Sequence, residues 1–133
     1  VIGDGPEGKN LRKNAPPNVI FTGHLCTAKM AEYFGMARAF VYAALEDFGI
    51  VALEAQSCGT PVIAYGKGGV KETCGQTGFF FMEQTPEAVR NAIESFEKEK
   101  APLPNMCRQN AERFSELHFR EKFLECVYKV VTK

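Results

Sequence analysis

Two glutamates, Glu46 and Glu54, stand with seven residues between them in the run EDFGIVALEAQSCGTPVIAYGKGG, residues 46–69. Glu46 follows an apolar stretch that reads as a strand, AFVYAA (Ala39–Ala44), and a helix is expected to begin near Phe48-Gly49. The first N–H groups of a helix have no intrahelical partner and carry partial positive charge, which makes them a seat for a phosphate. Gly49 puts no side chain between those amides and a ligand. Glu54 lies about a turn into the same helix. A carboxylate aimed at an anion would repel it, so Glu54 makes chemical sense facing a neutral diol such as a ribose, where two hydroxyls donate to one charged acceptor. Its neighbours Ala52, Leu53, Ala55 and Cys58 are small or apolar, and a carboxylate among them needs a partner. Glu46, before the helix start, would reach whatever lies beyond the phosphates. A structural alternative stays open: Glu46 with Asp47 could simply complete the helix macrodipole, and Glu54 could lie on the wet face of the helix, though its apolar neighbours speak against that.

The run YGKGG (Tyr65–Gly69) follows a second apolar strand, PVIAY. Its glycines, Gly68 among them, let backbone amides approach a ligand, and Lys67 could meet a phosphate. A turn with a solvated lysine is the other reading. His24 ends a third apolar run, NVIFTG (Asn18–Gly23). In an open parallel sheet, ligands bind beyond the carboxyl ends of the strands, so these loops are expected at one edge.

The elements needed to place them alternate along the chain. The opening "VI" reads as a strand end, Glu7–Asn14 as a short polar helix stopped by Pro16-Pro17, and Asn18–Gly23 as a buried strand. A helix capped by Thr27 should run to about Ala37, and Ala39–Ala44 should be a strand covered on both faces. A helix from about Gly49 to Cys58 ends at Gly59, and strands follow at Pro61–Tyr65 and Thr77–Met82. Thr85 as N-cap with Pro86 at the first helical position marks the clearest helix, and two more are expected near Met106–Arg113 and Glu116–Val131. Short apolar strands alternating with helices predict an α/β fold: a Rossmann-like parallel sheet with helices on both faces.

Bulk properties narrow the function. The 133 residues suit one domain with a real core, and 16 basic residues balance 16 acidic ones. Zero net charge argues against a nucleic-acid module driven by bulk charge. The five cysteines, Cys26, Cys58, Cys74, Cys107 and Cys126, show no C-x-x-C spacing, and with two histidines they make a structural zinc site unexpected. Free thiols fit a reducing cytoplasm. No apolar run approaches membrane-spanning length. GDGPEG (Gly3–Gly8) matches G-x-G-x-x-G literally, but Pro6 interrupts the turn and no acidic residue follows at the end of the next run, so a dinucleotide site is not expected.

Taken together, VIGDGPE, VIFTGHL, AFVYAALEDFGIVALEAQSCGTPVIAYGKGGVKET and GQTGFFF resemble, in order and spacing, the C-terminal, donor-binding half of retaining GT-B "group 1" glycosyltransferases. The glutamate pair followed by CGTPVIA is the specific part. The likeness is greatest to mannosyltransferases of bacterial and archaeal polysaccharide assembly. It implies one nucleotide-sugar-binding domain over residues 1–133, lacking the family's first strand-helix unit and its N-terminal acceptor domain, and inactive alone. It implies that Glu54 holds the donor ribose, that Glu46 is the catalytic carboxylate facing the donor sugar, and that Phe48, Gly49 and Ile50 offer amides to the sugar and diphosphate. Gly3, Gly5 and the loop at Gly23 and His24 would line the base pocket, and Lys67 and Gly68 would face the donor. No metal or cofactor is implied. The partners would be a nucleotide-diphosphate sugar (GDP-mannose favoured), the missing domain, and a carbohydrate or lipid-linked acceptor. The setting would be cytoplasmic, or peripheral at the inner membrane. Two other readings stay open: a related GT-B sugar-nucleotide epimerase, and a non-catalytic α/β nucleotide-binding module.

Overall fold

Val62–Tyr65 (β2) is buried at all four positions. Side chains alternate across a strand, so such a strand needs a covering layer on each side. In the computed structural model, which describes residues 1–132, β2 is the middle of a three-stranded sheet between Phe40–Tyr42 (β1) and Gly78–Phe81 (β3). Both pairings are parallel, with Phe40 opposite Val62, Tyr42 opposite Ala64, Ile63 opposite Phe79 and Tyr65 opposite Phe81. The helices are Gly8–Asn14 (α1), Thr27–Met36 (α2), Ile50–Ser57 (α3), Val70–Cys74 (α4), Pro86–Lys98 (α5), Pro104–Glu112 (α6) and Glu116–Val131 (α7), with a 3₁₀ turn at Gly75–Thr77. The expected α/β architecture, a parallel sheet with helices around it, is what the chain adopts.

The chain divides into two compact units, Val1–Tyr33 and Phe34–Lys133. In the second unit, Ile63, Tyr65 and Phe81 pack on Ala92 and Phe96 of α5, with Phe79 edge-on to Phe96 at 5.2 Å between ring centroids. Val62 and Ala64 point the other way, towards the layer built by α3 and α4, whose Ala52, Ala55, Val70 and Cys74 are buried. Burying a side chain such as Ile63 contributes about 1.5–3 kcal/mol, so this two-sided β2 is the centre of the stability. The helix α5 starts as its sequence dictates: Thr85 accepts the Ala88 N–H and Pro86 fills the first turn.

Three expectations need correcting. Asn18–Gly23 is not a buried strand: Ile20 is 72% exposed, and the segment makes only isolated bridges from Gly23 to Ile2 and Gly3. Its one neighbour along the backbone is Val1–Gly3, joined by Thr22 N–H to the Val1 carbonyl and Gly3 N–H to the Gly23 carbonyl, too short a ladder to make a sheet. Strand β1 is an edge, covered on the Phe40/Tyr42 side, while Val41 remains 43% exposed. Thr27 opens α2 rather than capping it. The short α4 has no clear sequence signal and was not expected.

A polar cluster lies under α3, α4 and α6. The Gln56 Oε1 accepts the Thr77 hydroxyl at 2.8 Å and the Asn110 amide at 2.7 Å, and the same Asn110 amide nitrogen donates to the Thr73 carbonyl at 2.6 Å. Arg113 donates to the Asn110 Oδ1, fixing that amide's orientation and through it Gln56's; a flipped Gln56 would set two amide nitrogens against each other. The Gln56 Nε2 is therefore left buried without a partner. Among the described residues no helix is long and apolar enough to cross a membrane.

The five cysteines are all unpaired. Burial raises the Cys74 thiol to about 11, against the lowering influence of the Thr73 and Gln56 side chains, and raises Cys107 as well. A thiol reagent at mildly alkaline pH should therefore modify exposed Cys26 and Cys126 first and reach Cys74 and Cys107 only on unfolding, while denatured, unreduced protein should titrate as five thiols; a lower count would mean a disulfide. Replacing Asn110 by Ala should lower the unfolding free energy by about 1–3 kcal/mol, because the Thr73 carbonyl is left buried without its donor and Gln56 with one fewer. Denaturant titration measures it, and an unchanged midpoint would deny the cluster a stabilising role.

Candidate functional site

Parallel pairing brings the ends of β1 and β2 to the same side of the sheet. After Tyr42 the chain turns through Ala43–Gly49 into α3, and after Tyr65 it turns through Gly66–Gly69 into α4. The two turns touch backbone to backbone. Glu46 and Gly68 form a parallel bridge, and the Gly69 N–H donates to the Glu46 carbonyl at 2.9 Å. A Cβ on Gly68 would run into the Glu46 carbonyl oxygen, and one on Gly69 into the Asp47 carbonyl oxygen. These glycines are required by close approach. Gly68 also has φ +72°, where a side chain is strained.

The start of α3 is equally constrained. Gly49 sits in the left-handed region at φ 84° and ψ 52°, and its carbonyl accepts the first intrahelical bonds, from Ala52 and Leu53. The Ile50 and Val51 N–H groups lie ahead of those bonds, where a helix start leaves its amides without intrahelical partners. Thr73 of α4 donates its hydroxyl to the Phe48 carbonyl at 3.0 Å and so ties this turn to the polar cluster below. The Phe48 ring, 47% exposed, stands edge-on to Phe114 at 5.8 Å.

Of the predicted residues in this unit, Glu46, Phe48, Gly49, Lys67 and Gly68 lie on the two adjoining turns, and Ile50 opens α3 directly after the first. Glu46 is half-buried, and its Oε1 accepts the Tyr42 hydroxyl at 2.6 Å. Burial, and then this bond to a carboxylate, push the Tyr42 phenol up to about 12. Lys67 is exposed, with its Nζ 5.7 Å from the Tyr65 ring centroid. Glu54 is the fifth residue of α3, roughly 6 Å along the axis from Ile50 at the rise of an α-helix. It is half-buried, and its carboxylate has no hydrogen bond or ion pair among the described residues. Such a group is available to an external donor of hydrogen bonds.

Gly3, Gly5, Gly23 and His24 belong to the first unit. There the Gly3 N–H donates to the Gly23 carbonyl at 2.8 Å, and the Gly5 carbonyl accepts the Gly8 N–H that closes the turn into α1. Asp4 ties the group together: its Oδ2 accepts the His24 N–H at 2.8 Å and its Oδ1 lies 3.5 Å from Arg12. His24 itself is exposed. Sequence reasoning passed over Asp4, Tyr42 and Thr73, and took Gly69 only as one of the glycines of a ligand-facing loop, not as a backbone packing point. Asp4 between two glycines, and Tyr42 one turn's length before Glu46, carried a faint signal; Thr73 carried none, since its partner is 25 positions away.

The combined turn presents unpaired helix-start amides and a lysine on the adjoining loop, and a separate carboxylate on α3 is free to accept hydrogen bonds. Its geometry depends on the glycine contact. Gly69→Ala should therefore destabilise the protein by about 1–3 kcal/mol by forcing two backbones apart. Gly35→Ala, on a helix with open space at the Cβ, should be neutral or stabilising. Thermal unfolding of both variants checks this, and equal midpoints would remove the steric argument.

The model of the family described as "Glycosyl transferases group 1" matches residues 1–114. A D-inositol 3-phosphate glycosyltransferase of Rhodococcus opacus is 39% identical over 92 residues, 65% of this chain and 20% of that protein. A GDP-mannose-dependent alpha-(1-6)-phosphatidylinositol monomannoside mannosyltransferase of Mycobacterium tuberculosis is 32% identical over 108 residues, 70% of this chain and 28% of that protein. Among solved structures, a sucrose-phosphate synthase from Thermosynechococcus elongatus superposes with a TM-score of 0.71 at 28% identity, covering 95% of this chain and 33% of that one. The chain thus spans between a fifth and a third of the lengths of these proteins. By the extent of the family match, the chain belongs to the group 1 glycosyl transferases.

Proposed function

We propose that the chain is the donor-binding, C-terminal half of a retaining GT-B glycosyltransferase that takes a nucleotide-diphosphate sugar, GDP-mannose favoured, and serves a polysaccharide or lipid-linked acceptor held by a further domain. The observation that carries this reading is the joined pair of turns at the end of β1 and β2. The start of α3 follows the turn that carries Glu46, Lys67 is on the turn that touches it, and Glu54 stands deeper on α3 with its carboxylate unengaged. The likeness to a relative whose name specifies GDP-mannose supports the choice of donor, and that relative's phosphatidylinositol mannoside supports a lipid-linked acceptor.

In this reading the diphosphate sits at the Ile50 and Val51 amides near Lys67. Negative charge grows on it as the bond to the sugar breaks, and preorganised dipoles and an ammonium offset that charge without a divalent metal. Glu54 accepts from the ribose hydroxyls. Glu46 accepts from the sugar being transferred, close to the carbon where positive charge develops. For Gly3, Gly5, Gly23 and His24 we propose a part in holding the base, on the resemblance alone. A nucleotide-sugar donor and free thiols fit a cytoplasmic reaction, and a lipid-linked acceptor would bring the enzyme to the inner face of the membrane.

Two carboxylates with different partners should fail differently. In the full-length protein, Glu54→Ala should raise the dissociation constant for GDP or the GDP-sugar about tenfold to a hundredfold, because hydrogen bonds to a charged acceptor contribute about 1.5–3 kcal/mol. Glu46→Ala should leave GDP binding nearly unchanged and lower turnover, since its partner is absent from bare GDP. Calorimetry with GDP and UDP beside initial rates in a metal chelator reads the contrast. Equal loss of GDP binding in both variants would refute this division of roles, and tighter UDP binding would refute the donor choice.

A further inference from the structure

We propose that Tyr42 is a positioning residue for Glu46: its phenol fixes the carboxylate at the mouth formed by the two joined turns, so that the carboxylate meets the donor sugar already oriented. The inference rests on the donor-binding reading above. It concerns a residue that the resemblance does not single out and that no role was expected for.

The backbone of Glu46 is held from one side. Its carbonyl accepts the Gly69 N–H at 2.9 Å and it bridges Gly68, so the main chain at this position is fixed by β2's turn. The side chain still has its own torsions, which these backbone bonds do not fix. Tyr42 does. Its hydroxyl donates to the Glu46 Oε1 at 2.6 Å, in the range of a strong bond to a charged acceptor. Tyr42 is itself immobilised. In the sheet it lies opposite Ala64, and its ring stacks on Phe40 at 5.5 Å. Phe40 in turn meets buried Phe34 edge-on at 5.1 Å. A stack of aromatic rings on the α3 side of the sheet thus ends in one hydroxyl that grips one carboxylate.

The choice of a phenol has a chemical logic. A lysine or arginine at this place would orient Glu46 equally well but would put a full positive charge next to it and weaken its pull on a developing positive centre. A neutral donor orients without cancelling the charge. Tyr42 stays neutral, because burial and the adjacent carboxylate both oppose formation of the phenolate. The bond engages one oxygen and leaves Oε2 without a partner among the described residues.

The test is a double-mutant cycle in the full-length protein with GDP-mannose and UDP-glucose as donors. Tyr42→Phe keeps the ring and removes the donor. It should lower kcat about tenfold with the better donor, leave GDP affinity within about twofold, and leave the melting temperature nearly unchanged. Added to Glu46→Ala, the same substitution should cost nothing further, because the group it positions is gone. An unchanged kcat in Tyr42→Phe would overturn the proposal, as would an equal loss with and without Glu46. A second readout does not need turnover. The Tyr42 ring-carbon resonance next to the hydroxyl, measured at neutral pH and identified by its absence in Tyr42→Phe, should shift in Glu46→Ala. A shifted resonance in a parent protein that turns over no nucleotide sugar would overturn the donor-binding reading and with it this role, while leaving the contact intact. An unshifted resonance would overturn the contact itself.

Discussion

The candidate site depends on one contact, the packing of the Gly68-Gly69 backbone against the backbone of Glu46–Phe48. No side chain fits between them, and a single Cβ on either glycine would collide with a carbonyl oxygen. Because the two turns touch, the starts of α3 and α4 are brought side by side, and the Glu46 carbonyl has a donor in the Gly69 N–H. Parallel pairing of β1 and β2 makes the contact possible, since it delivers both turns to the same end of the sheet. The left-handed Gly49 then turns the chain sharply enough for α3 to begin at once.

Below the turns, apolar and polar packing do different jobs. The two buried faces of β2 supply the bulk of the stability, and they are non-directional: any well-fitting apolar set would serve. The cluster of Gln56, Thr73, Thr77 and Asn110 supplies direction. It links α3, α4 and α6 through bonds that hold only in one arrangement, and through the Thr73 hydroxyl it reaches the Phe48 carbonyl in the turn itself. The unpartnered Gln56 Nε2 is the cost of that arrangement, because Arg113 and Asn110 dictate which way the Gln56 amide faces.

Electrostatics at the turns separates groups that would otherwise interfere. In the proposed reading the α3 amides and Lys67 take an anion, so a carboxylate nearby would have to be held where it does not meet that anion. Glu46 is kept in place by a neutral phenol, and Glu54 lies farther along the helix. The side of the sheet that carries Phe40 and Tyr42 thus reaches the Glu46 carboxylate as well as packing, whereas the Val41 side of β1 lies open.

Much of this was legible in the residues. The alternation of apolar runs with helical stretches gave the α/β class, because a period of two or of about 3.6 is a local property of the chain. Thr85-Pro86 marked a helix start, and the placing of Glu46, Gly49 and Lys67 in loops after strands, with Glu54 on the helix that follows, was readable from order and spacing. What tertiary structure decided was whatever depends on neighbours distant in sequence. Asn18–Gly23 has the composition of a strand, yet it forms none, since a strand exists only with a partner of sufficient length. Gly68 and Gly69 look like flexible turn residues until the backbone of Glu46–Phe48 is found against them. Tyr42 looks like one more apolar strand residue until its hydroxyl meets Glu46. Local pattern indicates the type of most elements, but strand pairing, close approach and buried hydrogen bonds are properties of pairs, and a pair is defined only once the chain has folded.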